Sequence, residues 1–161
     1  MKFKLVSLLL TLVAIKAQAY PNLNDRVVYE GQVVLKNTNR SITFLQTLEI
    51  IALDTVKKEY TLLNILDLPN GDVKEEKISV PSQEMLTVDQ IKSLLNTCEQ
   101  QGGKKEKILV AAGEFDTCKI TSQDGNISYL GDVPFGLVKS ISKEADSDAL
   151  IIMELSLIEK Y

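Results

Sequence analysis

The chain contains no histidine and no tryptophan among its 161 residues, and it has only two cysteines. The absence of histidine removes the side chain that most often acts as a general base or a metal ligand. It excludes a Ser-His-Asp or Cys-His catalytic site outright. Two cysteines without histidine also cannot supply the four ligands of a structural zinc site. The sequence therefore predicts no catalytic residue and no metal site.

The chain also has no excess of positive charge. The chain has 18 Lys and Arg against 22 Asp and Glu, which gives a formal net charge of −4. Proteins that bind nucleic acid usually carry a basic patch, so we expect no nucleic-acid partner. The apolar content of 45% is close to that of globular proteins and excludes a disordered chain.

Long apolar runs are absent apart from one near the N-terminus. Two lysines precede the apolar run at 5–15, and the small residues Ala17 and Ala19 follow it. This is the layout of a secretory signal peptide, and the run is too short to span a bilayer. The sequence predicts a signal peptide over 1–19. We expect residues 20–161 to form a single β-rich domain without a transmembrane segment, exported to the periplasm or secreted.

The two cysteines, Cys98 and Cys118, both lie in the part that we expect to be exported. In an oxidising compartment an even pair of cysteines favours a disulfide. The alternative, a redox-active pair, usually needs a Cys-x-x-Cys spacing, which the chain lacks. We therefore expect a structural bond between Cys98 and Cys118, which should stabilise the fold by about 3 kcal/mol.

Strand-like segments dominate the rest of the chain. Alternating or β-branched apolar residues predict strands at 27–35, 42–53, 60–66, 73–80, 114–121 and 149–157. The segment 42–53 is apolar at both odd and even positions, which indicates either a strand covered on both faces or one that curves through the core. Asn70-Gly71 is a strong signal for a hairpin between two of these strands.

One helix is predicted at 88–100. Thr87 and Gln90 form a capping box, and Gly102-Gly103 ends the helix. The helical spacing places Cys98 on the buried face, so the disulfide would pin the helix to the strand that carries Cys118. The charged residues 104–107 that follow are interpreted as a solvated turn.

These elements together predict a mainly β (α+β) fold. We expect a curved antiparallel sheet or half-barrel of about nine strands with one packed helix. Short connections between successive strands favour a meander.

The last third of the chain carries a recognisable pattern. It comprises Cys98, Gly102-Gly103, the run 110–119 (VAAGEFDTCK) and the run 129–139 (YLGDVPFGLVK). This pattern resembles a group of uncharacterised bacterial exported proteins with an aGxF…C/K strand and a VPfGlvK segment. The group in turn resembles the periplasmic lipoprotein carriers, whose concave half-barrel is closed by helical elements. The resemblance implies a Gram-negative envelope and covers about a quarter of the chain.

The VPfG segment has two interpretations. Pro134 cannot donate to a β-ladder and Gly136 tolerates unusual dihedral angles, so residues 133–136 favour a structural corner, which we place at a sheet edge. In the functional interpretation, Tyr129, Phe135 and Leu137 line the rim of an apolar cavity.

Catalytic motifs are poorly supported. Ser140 and Lys143 match a Ser-x-x-Lys pattern, but the chain lacks the Lys-Thr-Gly partner of the enzymes that use it. No phosphate-binding glycine loop, dinucleotide fingerprint or calcium loop is present, so we expect no cofactor.

Three functions remain open. The first is a non-catalytic exported envelope protein that binds an apolar ligand, such as a lipid or acyl chain, in the curved sheet. The second is a structural or interaction module of the envelope that has a protein partner and no small-molecule ligand. A hydrolase that uses paired carboxylates is the third and least supported. The sequence does not determine the oligomeric state.

Overall fold

The computed structural model describes residues 22–35, 40–143 and 149–160. Within them, nine strands form one antiparallel sheet in the order β4-β3-β2-β1-β9-β8-β7-β6-β5. The predicted signal peptide at 1–19 lies outside the described residues. The strands are β1 (Arg26–Leu35), β2 (Arg40–Asp54), β3 (Glu59–Asp67), β4 (Val73–Pro81), β5 (Lys104–Val110), β6 (Gly113–Thr121), β7 (Ile127–Gly131), β8 (Leu137–Lys143) and β9 (Ala149–Glu159).

The sheet consists of two meanders joined through their first and last strands. Strands β1 to β4 pair in sequence, as do β5 to β9, and β1 pairs with β9 along ten positions of β1. Strands β4 and β5 are the two edges, so the sheet is open. The predicted curved sheet of about nine strands with one packed helix is confirmed.

The C-terminal meander curls back on itself. The backbone N–H of Ala112, in the turn between β5 and β6, donates to the carbonyl of Leu155 on β9 at 3.2 Å. The main hydrophobic cluster lies inside this curl and contains Val27, Tyr29, Val110, Val133, Val138 and Leu155. Register shifts at Val28/Tyr29, Ile50/Ala52 and Tyr129/Leu130 mark bulges, which increase the local bend of a sheet.

Strand β2 is not covered on both faces along its whole length. Ile42, Leu45 and Leu53 are each more than two-fifths exposed, at 46%, 43% and 43%, whereas Ile50 is fully buried. The register shift at Ile50/Ala52 places Leu53 on the same face as Ile50, which accounts for its odd position, whereas Leu45 precedes the shift and lies on the opposite face. The explanation based on a strand covered on both faces therefore fails at the ends of the segment, although Thr47 and Ile50 are buried on opposite faces near its middle.

The helix α1 (Val88–Thr97) begins as predicted and is followed by a 3₁₀ turn, Glu99–Gln101. The side chain of Thr87 accepts from the backbone of Gln90, and the side chain of Gln90 accepts from the backbone of Thr87, so the capping box is confirmed. Another short 3₁₀ turn, Ser82–Glu84, precedes the helix.

Two local predictions are wrong. Residues 104–107 are not a turn but the first half of the edge strand β5, where Lys104 forms an ion pair with Glu106 and Lys107 forms one with Glu114. Charged side chains suit an edge strand because they oppose pairing with another chain. The bend at 133–136 lies between β7 and β8, which are interior strands and not a sheet edge.

Candidate functional site

One face of the sheet is apolar across four neighbouring strands, β3, β2, β1 and β9. Successive residues of a strand point to opposite faces. The registers place Phe44 opposite Gly31 and Gly31 opposite Met153, and the same face can be followed from strand to strand. We call this surface the apolar face. Its members are Val33, Leu35, Ile42, Phe44, Gln46, Leu62, Asn64, Leu66, Ile151 and Met153.

None of these ten side chains is charged. Nine of them are half-buried, and Ile42 is 46% exposed. Charges begin at the borders: Arg40 pairs with Leu35 at one end, and Lys74 and Glu76 continue the same face onto the edge strand β4. An apolar surface with a charged rim is typical of a surface that binds something apolar.

Phe44 shapes the centre of the apolar face. Gly31 lies directly opposite it, and a Cβ atom on Gly31 would overlap the Phe44 ring. The ring therefore lies flat over the glycine, in the space that a side chain would otherwise occupy.

Two amide side chains interrupt the apolar face. The Nε2 atom of Gln46 on β2 donates to Oδ1 of Asn64 on β3 at 2.9 Å. Polar groups among apolar side chains are stabilised when they bond to each other, and this pair satisfies one donor and one acceptor. Composition could not reveal the pair, because it depends on the register between β2 and β3.

The apolar face continues into the main cluster at Tyr29. Tyr29 lies opposite Gln46, and its hydroxyl donates to the carbonyl of Leu137 at 3.0 Å. Burial raises the pKa of Tyr29 well above its ordinary value. The inner end of the face is therefore anchored by a neutral, hydrogen-bonded phenol.

The opposite face of the same strands is mixed, with charged residues among apolar ones such as Val34, Leu63 and Ile152. Glu30 lies directly across from Glu154, and Lys139 forms an ion pair with Glu154. Two shallow pockets of about 250 Å³ each share Glu30 and Thr43 in their linings. The two faces therefore differ in charge: the opposite face carries Glu30 and Glu154, whereas the ten residues of the apolar face carry none.

The disulfide fixes the helix to the sheet. Cys98 follows α1, and its sulfur bonds to that of Cys118 on β6, with both residues fully buried. Thr117 is also buried although it points to the other face of β6, and the pairings of β6 show no register shift. The strand is therefore covered on both sides at this point, and the predicted disulfide is confirmed.

A groove of about 440 Å³ runs between the helix and the first hairpin of the C-terminal meander. Leu95 and Asn96 line one side, and residues 105–107, 116 and 117 line the other. Its charges are largely paired. A hydrogen bond from Lys104 lowers the pKa of Glu106, and a hydrogen bond to Glu114 raises the pKa of Lys107.

Two of the three residues predicted to line a cavity rim pack against the main cluster. Phe135 and Leu137 pack against it, and Phe135 has a positive φ of 64° in the tight turn between β7 and β8. Tyr129 is 9% exposed, with the ammonium of Lys119 at 5.5 Å from its ring centre. Their role at a rim stays a prediction. The pockets described above are lined by other residues.

The Ser-x-x-Lys pattern does not form a site on β8. Residues 140 and 143 are three apart on a strand, so their side chains point to opposite faces. Among the described residues, no group of three or more Cys, Asp or Glu side chains could hold a metal ion. The same part of the chain contains no helix long and apolar enough to cross a membrane.

No protein-family model and no curated protein matches the chain. Among solved structures, it is similar to a "putative exported protein with YmcC-like fold" from Bacteroides fragilis, with 9% identity and a TM-score of 0.49 over 89% of this chain and 100% of that one. It is also similar to a "putative lipoprotein" from Parabacteroides distasonis, with 11% identity and a TM-score of 0.48 over 86% of this chain and 96% of that one. Similarities this low carry no argument about family, location or ligand.

Proposed function

We propose that this protein is a non-catalytic, exported protein of the cell envelope that binds an acyl chain on its apolar face. The observation that carries the proposal is the charge-free surface across β3, β2, β1 and β9, which ends at charged residues. The predicted signal peptide supports the location. The charges on the opposite face, such as Glu30 and Glu154, support the choice of surface.

The physical driving force is burial of hydrocarbon. Each methylene that leaves water contributes about 0.8 kcal/mol, which corresponds to roughly a fourfold change in affinity. Four strands spaced about 4.8 Å apart give a surface about 14 Å wide, which suits a single chain of about ten to twelve carbons. Affinity should therefore rise with chain length up to about that size and then level off.

The experiment has two parts. Protein purified from its native compartment is extracted with organic solvent, and the extract is analysed by mass spectrometry. The delipidated protein is then titrated with saturated fatty acids of 8, 10, 12 and 16 carbons, which displace the neutral fluorophore N-phenyl-1-naphthylamine. We expect a co-purified acyl lipid and an affinity that increases with chain length.

Absence of bound lipid together with no uptake of the fluorophore would overturn the proposal. If a stoichiometric envelope protein co-purified instead, the alternative of an interaction module without a small-molecule ligand would be favoured.

A further inference from the structure

The amide pair Gln46–Asn64 is the polar feature inside the apolar face. Both side chains are half-buried. Their neighbours on the same face include Leu48, Leu62 and Leu66, and Glu76 lies opposite Asn64 on the edge strand β4. The pair has one internal hydrogen bond, from Gln46 Nε2 to Asn64 Oδ1 at 2.9 Å. Two apolar residues would fill these positions more simply, so the pair extends polarity from the charged edge strand β4 into the apolar face.

The internal bond leaves hydrogen-bonding capacity unused. Each amide group has two N–H donors and one carbonyl acceptor, so a pair joined by one bond retains a free carbonyl oxygen and free N–H groups. In the described part of the chain, Gln46 Oε1 and the Nδ2 group of Asn64 have no protein partner. A donor and an acceptor therefore lie side by side on the surface that we propose to bind an acyl chain.

We infer that this amide pair binds the amide linkage of an N-acylated ligand, with the acyl chain lying along the apolar face. The inference rests on the proposed function and names the ligand class. A secondary amide offers one carbonyl and one N–H, which match the free donor and acceptor of the pair. An ester offers only acceptors.

The first test compares two ligands of equal chain length on the wild-type protein. N-methyldodecanamide and methyl dodecanoate differ in the linkage alone, and each displaces N-phenyl-1-naphthylamine. One additional neutral hydrogen bond corresponds to roughly a three- to tenfold difference in affinity. We expect the amide to bind more tightly than the ester by this factor.

The second test removes the amides while keeping the shapes of the side chains. The double variant Gln46→Met/Asn64→Leu should reduce the preference for the amide to less than twofold and should still bind the fluorophore. Gln32→Met is the matched control, because Gln32 is a half-buried glutamine on the opposite face of β1. Gln32→Met should leave the preference for the amide over the ester unchanged. Thermal unfolding of each variant shows whether its fold is intact.

The two proposals fail in different ways. Equal binding of amide and ester by the wild-type protein would overturn the inference about the amide pair and leave the proposed function standing. A preference for the amide over the ester that persists in the double variant would also overturn the inference about the amide pair and leave the proposed function standing. Failure of the fluorophore and of both ligands to bind the wild-type protein would overturn the proposed function itself.

Discussion

Gly31→Ala should destabilise the protein through a clash with a single side chain. The new Cβ would overlap the far end of the Phe44 ring, so the ring must turn away from its position over β1. Overpacking of this kind costs about 1–3 kcal/mol. In the Phe44→Leu background the side chain at position 44 is shorter, so the clash with the new Cβ is much smaller. Gly31→Ala should then lower the free energy of unfolding only slightly, because alanine also restricts the unfolded chain.

The assay is a double-mutant cycle measured by urea unfolding, with the wild type, the two single variants and Gly31→Ala/Phe44→Leu. We expect a coupling free energy of about 1–2 kcal/mol, because the glycine substitution should be less harmful when position 44 carries the shorter leucine side chain. An equal loss of stability in both backgrounds would refute the proposed packing of Phe44 over Gly31. Wild-type stability of Gly31→Ala would refute it as well.

Three further predictions concern stability. Replacing both Cys98 and Cys118 with alanine should lower the free energy of unfolding by about 3 kcal/mol, because the bond closes a loop with a sequence separation of 20; an unchanged urea midpoint would contradict this. Thr87→Ala removes the N-cap bond and should cost about 1 kcal/mol in the same assay, and a change within error would mean that the cap contributes nothing. The pKa of Tyr29 is raised in the folded protein, so Tyr29 ionises first in the unfolded chain, near the ordinary value of 10.0. The stability that the neutral Tyr29 contributes is therefore complete below that pH and is lost as the pH rises further. Urea midpoints between about pH 8 and pH 12 should fall less steeply for Tyr29→Phe than for the wild type, and identical slopes would refute the raised pKa of Tyr29.

Local features of the fold were predictable because they depend on neighbours in sequence. The capping box needs only Thr87 and Gln90 at the right spacing, and the Asn70-Gly71 turn needs only its own dihedral preferences. The disulfide was predictable for a different reason. With two cysteines in the chain, one intramolecular pairing exists.

The edge strand β5 was missed because its charges suggest a turn. Lys104 and Glu106 lie in a strand that has a neighbour on one side only, and such strands tolerate charge at positions where an interior strand would not. Sequence alternation does not reveal whether a strand lies at an edge. That depends on which strands are neighbours in the sheet.

The apolar face was only half predictable. Apolar residues at both odd and even positions of 42–53 were visible, but their assignment to faces required the register of β2 against β1 and β3. A shift of one residue would move Ile42 and Phe44 to the opposite face. The pairing of β1 with β9, at opposite ends of the chain, completes the face and is not encoded in any local pattern.

The most direct test of acyl-chain binding compares two substitutions on β2. Ile42 lies on the apolar face and is 46% exposed, whereas Leu45 lies on the opposite face and is 43% exposed. Because the two side chains are similarly accessible, Ile42→Glu and Leu45→Glu should perturb folding alike. Equilibrium binding of dodecanoic acid, measured by fluorophore displacement, should weaken at least tenfold in Ile42→Glu and by less than twofold in Leu45→Glu. Equal effects of the two substitutions, or a larger effect of Leu45→Glu, would contradict binding on the apolar face.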